Sequence, residues 1–196
     1  TYISDAAHGD FGDSLKQRGR TVMDIIATKF PVSAKLGGMA VILALCVGVP
    51  LGVLAAYKRG TFIDSLFSVI ATCGIAVPGF VICTLLLYVF GVKLQWLPTL
   101  GLKSAQSYIM PVVALAAYPT SYIMRLMRSS MLDVLGQDYM RTAKAKGLSQ
   151  KVSLFKHALR NAILPVITYV GPMLAYTLTG SFVTEKIFTI PGLGGE

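Results

Sequence analysis

Four stretches of this chain contain no Asp, Glu, Lys, Arg or His: Leu36–Tyr57, Leu66–Val92, Tyr108–Met124 and Ala162–Thr184, of 22, 27, 17 and 23 residues. A bilayer core of about 30 Å takes roughly 20 apolar residues in helical form, so each stretch has about the length of a membrane span. The third is short, and Arg125 and Arg128 can lengthen it by reaching for the headgroups. A water-soluble fold has no room to hide four such runs. Composition agrees: 14% of residues are charged and 54% hydrophobic, with mean hydropathy +0.65, against about 25% charged in soluble domains. These figures exclude a disordered chain, a disulfide-stapled secreted module and an ordinary cytosolic enzyme. The fold class is an all-α integral membrane protein, a polytopic helix bundle.

The net charge of +9 lies between the apolar runs, which points to membrane topology and a lipid bilayer as partner, with no nucleic acid. The segments Tyr57–Ser65 and Arg125–Asn161 hold ten Lys/Arg against Asp64, Asp133 and Asp138, and the remaining segments eight against six. The positive-inside rule places the densely basic loops in the cytoplasm. Residues 1–35 then form an extracytoplasmic segment, with a short amphipathic helix over Thr21–Phe30 on the membrane surface, and residues 36–196 form the transmembrane domain. Thr1 is not an initiator Met and no cleavable signal sequence follows it, so the chain reads as an internal portion of a longer protein.

The spans carry no group to bind a proton or sense voltage, no protease constellation and no G-x-x-x-x-G-K-[S/T] phosphate loop. Cys46, Cys73 and Cys83 lack metal or redox spacing, and His8 and His157 stand alone, so neither a metal site nor a catalytic residue is expected. Uphill transport by such a chain must draw its energy from another subunit. Proline interrupts every span, at Pro50, Pro78, Pro119 and Pro172, the candidate helix kinks. Kinked helices around a moving pathway and simple tolerance of Pro in membrane helices both fit.

The cytoplasmic loop 125–161 is too long to be a bare connection. Met131–Lys146 reads as one amphipathic helix, with Leu132, Leu135, Tyr139 and Ala143 on one face and Gly147 as its stop. Ser149 then caps a second short helix through Arg160, with Val152, Phe155 and Leu159 as its apolar stripe. The turn at Gly147 can be a knob for another protein to grip, or the whole loop can lie on anionic headgroups.

The residues of that loop have a further meaning. The run Asp138, Tyr139, Met140, Arg141, Thr142, Ala143, Lys144, Ala145, Lys146, Gly147, Leu148, Ser149, followed by His157, Asn161 and Pro165, closely resembles the EAA loop of bacterial ABC importer permeases. More narrowly, it is similar to the dipeptide/oligopeptide/nickel branch. Arg125–Leu132 and Glu185–Gly194 match the same branch, and Phe11-Gly12-Asp13-Ser14 resembles the outer segment of its first, B-type permease subunit. Arg141-Thr142-Ala143 stands where the general motif has Glu-Ala-Ala, a substitution that the peptide branch shares. The family has six spans, of which this chain presents four, the second to fifth.

The resemblance implies the type I, binding-protein-dependent permease class, in the bacterial cytoplasmic (inner) membrane. It implies a transport subunit without enzymatic activity, carrying di- or oligopeptides or related solutes such as nickel chelates. Its partners would be cytoplasmic ABC ATPase subunits, a second (C-type) permease subunit and an extracytoplasmic solute-binding protein. No cofactor would bind this chain, since ATP and Mg would act through the ATPase. Ala143, Ala145 and Gly147 would let the ATPase approach the backbone, with Arg141, Lys144 and Lys146 at the rim. Gly192 and Gly194 after Pro191 read as a turn in the outer loop. A passive channel or facilitator, or a membrane scaffold with a lipid-binding basic loop, is the alternative.

Overall fold

The computed structural model describes residues 11–195 except 15, 17, 18, 146, 148, 150, 151 and 180, and omits the side chains of residues 141, 143, 144 and 156. The bundle is built on helix α1, Val22–Tyr57, which runs unbroken through Pro31 and Pro50. Thr21 caps it, its Oγ1 accepting from the Asp24 N–H at 3.1 Å, which satisfies one of the orphan donors of the first turn. At 1.5 Å per residue its 36 residues rise about 54 Å, far more than a bilayer core requires. The Thr21–Phe30 segment is therefore not a separate surface helix. It is the start of α1, and Pro31 does not stop it, because the apolar face of the helix stays packed on both sides of the ring.

The second apolar run differs from the single tilted span expected of it. Helix α2, Phe62–Ala76, and helix α3, Gly79–Leu86, which continues as a π-helix over Leu87–Lys93, meet at a bend of 103°. The cause is local: the residue before a proline is pushed out of the helical region, and Val77 sits at φ −76°, ψ 122°. Pro78 thus breaks the run where a kink was expected. Helix α4, Ile109–Leu135, holds Pro119 in its interior, and α7, Leu164–Leu178, holds Pro172. Between them lie α5, Asp138–Ala145, a π-helical turn over Ser153–Ala158 and α6, Leu159–Ala162. Helix α8, Phe182–Ile187, follows, so the fourth run is interrupted after Leu178. Among the described residues, three helical stretches are long and apolar enough to cross a membrane, and the bent α2–α3 pair makes a fourth if it serves as one span.

Helix α1 packs most extensively on α4, and the seam is set by glycine. Gly48 and Gly52 lie one turn apart on α1, and a Cβ on Gly52 would fall 2.7 Å from both the Met124 carbonyl oxygen and Met127 Cβ. Small residues at this spacing let two membrane helices approach closely. Gly52→Leu is expected to force the helices apart and cost about 1–3 kcal/mol, the usual penalty of overpacking. Thermal unfolding of the detergent-solubilised protein measures it, and an unchanged midpoint would contradict the seam.

Among the described residues the core has two clusters, one at each end of the bundle. One joins Leu36, Ala40, Cys83, Met110, Ala116, Phe188 and Ile190. At this end Glu185, 3% exposed, is fully engaged: Ser33 Oγ donates to its Oε1 at 2.7 Å and the Gly195 N–H to its Oε2 at 3.0 Å. The Leu193 N–H donates to Ser33 Oγ in turn. The turn expected at Pro191–Gly194 is present as a short 3-10 helix, Leu193–Gly195. A Cβ on Gly192 would sit 2.5 Å from the Glu185 carboxylate, so the segment is fitted to that group. The other cluster gathers Val53, Ala56, Ile123, Met127, Met131, Met140, Leu154, Ala158 and Ala162. The long basic loop is thereby part of the core.

Candidate functional site

The loop after α4 is where the sequence concentrates its signal, and the structure gives it a fixed root. Arg128, in α4 about two helical turns before its end at Leu135, makes a two-pronged contact with Asp64 in the first turn of α2. Nε donates to Oδ1 at 2.6 Å and Nη2 to Oδ2 at 2.9 Å. The Gly60 N–H also donates to Oδ2. Asp64 is buried, 5% exposed, and the planar guanidinium matches its carboxylate better than any other cation could. Arg128 therefore serves as an anchor, where snorkelling was expected; Arg125 alone of the two is exposed.

Beyond this root the expected helix Met131–Lys146 is two helices, because α4 is capped by Gly136 and α5 begins at Asp138. The break resets the helical phase. Tyr139, expected on the buried face, is 41% exposed, and Met140, 1% exposed, is the residue that anchors α5 in the methionine cluster. The second half shows the same kind of shift. Ser149 caps as expected, its Oγ accepting from the Val152 N–H at 3.4 Å. The π-turn that follows then rotates the stripe, since i→i+5 bonding adds a residue to the turn. Leu154, Ala158 and Ala162 are buried while Val152 and Phe155 are exposed. Phe155 and Leu159 instead join Val49, Pro50, Val53 and Tyr57 of α1 around an apolar groove of about 750 Å3.

The two halves of the motif-bearing run are tied together. Asn161 Nδ2 donates to the Tyr139 hydroxyl at 3.0 Å, across 22 positions of sequence, and to the His157 carbonyl at 3.3 Å. Thr142 Oγ1 donates to the Asp138 carbonyl within α5. Between the halves Gly147 turns the chain at φ +75°, with open space where a Cβ would be; left-handed backbone of this kind favours glycine. Ala145 and Thr142 are exposed beside it, and Pro165 lies exposed in the first turn of α7. Lys146 and Leu148, with the side chains of Arg141, Ala143 and Lys144, lie outside the described residues. Among the described residues no three His, Cys, Asp or Glu side chains meet to hold a metal.

The arrangement is a hairpin of helices with a small-residue tip, its two halves tied by the Asn161–Tyr139 bond. Tyr139→Phe removes the cross-link between its halves. The expected cost is one hydrogen bond, about 0.5–1.5 kcal/mol, and limited proteolysis in membranes should cut the loop several-fold faster. Unaltered cleavage would contradict the tie. The motif names Tyr139, Met140 and Asn161, but nothing local in the sequence marks Met140 as the buried residue, pairs Asp64 with Arg128 or points to Ser33; Gly136 is the available sign of the phase reset that buries Met140.

The family model described as binding-protein-dependent transport system inner membrane component matches residues 48–195. The chain is 47% identical over 98% of its length to the dipeptide transport system permease protein of Bacillus subtilis (strain 168), covering 63% of that protein. It is 44% identical over 99% of its length to the oligopeptide transport system permease protein of Salmonella typhimurium (strain LT2), covering 64% of it. A glutathione transport system permease protein of Escherichia coli O1:K1 is 45% identical over 98% of the chain and 63% of its own length. The chain thus spans less than two thirds of the length of these relatives. In fold it is similar to a crystal structure of an amino acid ABC transporter with histidines, at TM-score 0.63 and 16% identity over 100% of this chain and 79% of that one.

Proposed function

The chain belongs to the family of binding-protein-dependent transport system inner membrane components, and from that premise we propose that it is the membrane part of a B-type peptide permease driven by a separate ATPase. The observation that carries the proposal is the loop itself: its tip at Gly147 is small and exposed, while its base is fixed in the core by Met140 and by the Asn161–Tyr139 bond. A knob so mounted moves with α4 and α7. Seated in a groove of a cytoplasmic ATPase, it would be pushed when two ATPase subunits close on ATP, and the bundle would change between inward-facing and outward-facing states. Asp138, Tyr139, Thr142, Ala145 and Gly147 would meet the ATPase, with Arg141, Ala143, Lys146 and Leu148 completing the contact by sequence position.

A second, C-type permease subunit would supply the other wall of the pathway, and an extracytoplasmic binding protein would deliver solute. The peptide relatives support di- or oligopeptides as cargo. ATP and Mg would stay with the ATPase. The test is uptake of labelled di- and oligopeptides into vesicles carrying the full-length parent with its partner subunits. Accumulation that requires ATP and the binding protein is the expected result; flux down a gradient without ATP would favour a channel, and no flux a scaffold.

A further inference from the structure

Three of the four prolines that interrupt the apolar runs meet at one place. Pro78, Pro119 and Pro172 all line a single cavity of about 540 Å3, located where α2 turns sharply into α3 and flanked by α4 and α7. Its aromatic wall is Tyr118 from α4 with Tyr169 and Tyr176 from α7. Tyr122 extends the wall, stacking on Tyr118 with ring centroids 6.3 Å apart and lying 4.4 Å from Tyr169. Tyr118 and Tyr176 are 49% and 77% exposed. Among the described residues, the tyrosine hydroxyls that are hydrogen bonded are those of Tyr108 and Tyr139, neither of them in this group.

Two independent physical arguments make this cavity wet. Tyrosine in a membrane helix favours the headgroup level, where its hydroxyl finds a partner; Tyr118 and Tyr169 instead lie well inside apolar runs, where an unsatisfied hydroxyl in hydrocarbon is costly. Broken helices within a membrane are tolerated where they are buried in protein or line a water-filled space, and they mark the solute sites of many carriers. The α2–α3 break and the tyrosine cluster arrive at the same space from different elements.

We propose that this cavity is a solute-contact site within the membrane and that the solute it fits is a short extended peptide. The inference rests on the permease reading above. A phenol both donates and accepts, which matches the amide N–H and C=O that every peptide carries, while the ring faces take up side chains. The cavity's lining residues carry no formal charge, so the site reads backbone and tolerates many side chains. Its volume lies within the range of small-ligand sites.

The test uses the full-length parent in its complete transporter, in proteoliposomes, with Cys46, Cys73 and Cys83 replaced and tri-alanine as the probe. Tyr118→Cys and Tyr176→Cys are expected to react with a membrane-impermeant methanethiosulfonate during ATP turnover. Tri-alanine at ten times its dissociation constant should slow that labelling roughly tenfold, as site occupancy requires. Ile42→Cys, on an exposed face of α1, should stay unlabelled. Tyr118→Phe and Tyr176→Phe, which keep the ring, should each slow tri-alanine uptake about 3- to 10-fold by loss of one hydrogen bond. Cysteines that are silent or indifferent to peptide, together with unaltered uptake by the Phe variants, would overturn the site while ATP-driven uptake left the permease reading standing. Absence of ATP-driven tri-alanine uptake by the unsubstituted assembly would instead overturn the permease reading and this inference with it.

Discussion

Gly147→Trp is expected to reduce ATP-driven uptake at least 30-fold while the protein still inserts in the membrane. The two halves of that expectation have separate causes. A Cβ at Gly147 would meet no atom within 4 Å, so a large side chain leaves the fold's own packing alone. The left-handed φ of +75° adds about 1–2 kcal/mol of backbone strain for any other residue, a cost that Gly147→Ala shares. The indole would stand at the tip of the loop, where the account seats an ATPase groove, and loss of a well-packed central contact costs roughly 2 kcal/mol or more, about 30-fold in affinity. Uptake and membrane content measured side by side for Gly147→Ala and Gly147→Trp separate strain from obstruction. Equal uptake by the two variants would show that nothing grips the tip.

Arg128→Ala is expected to be the most destabilising single change in the bundle, by about 2–4 kcal/mol. It strands the buried Asp64 carboxylate, which would retain only the Gly60 N–H, and an uncompensated buried charge is what makes a broken ion pair expensive. Asp64→Ala should cost less, because the Arg128 side chain is 31% exposed and can turn toward water. The double variant should therefore be more stable than Arg128→Ala alone. Thermal unfolding in detergent gives all three values. Single variants of equal effect, or a double variant that is the sum of the two, would show that Asp64 and Arg128 act independently and that the root of the loop is not held by their contact.

The apolar runs and the loop motif were readable because both are local: uncharged length makes a span, and a contiguous run of residue types makes the motif. What escaped was phase and long-range pairing. Periodicity carries the face from Leu132 and Leu135 straight to Tyr139 and Ala143, but Gly136 resets the register, and Met140 is buried where Tyr139 was expected. The π-turn over Ser153–Ala158 likewise has no simple sequence sign, and it moves burial from Val152 and Phe155 to Leu154 and Ala158. Asp64 and Arg128 each looked like an ordinary loop or headgroup charge, since only the fold brings positions 64 residues apart into contact. Ser33 and Glu185 lie 152 residues apart and were hidden for the same reason. Proline placement was legible but its consequence was not uniform. Val77 yields to Pro78 and the helix breaks, whereas Pro50, Pro119 and Pro172 lie inside continuous helices.

The central claim, that the loop around Gly147 transmits the ATP cycle to the bundle, is tested most directly by cross-linking in membranes. The full-length parent with Cys46, Cys73 and Cys83 replaced would carry one cysteine at the exposed Ser149 and be expressed with the candidate ATPase subunit, itself bearing single cysteines along its groove. A cross-link whose yield changes when ATP is added is the predicted result. A properly inserted protein that gives no cross-link at Ser149, nor at any single cysteine placed from Ala145 to Lys151, with or without ATP, would contradict it.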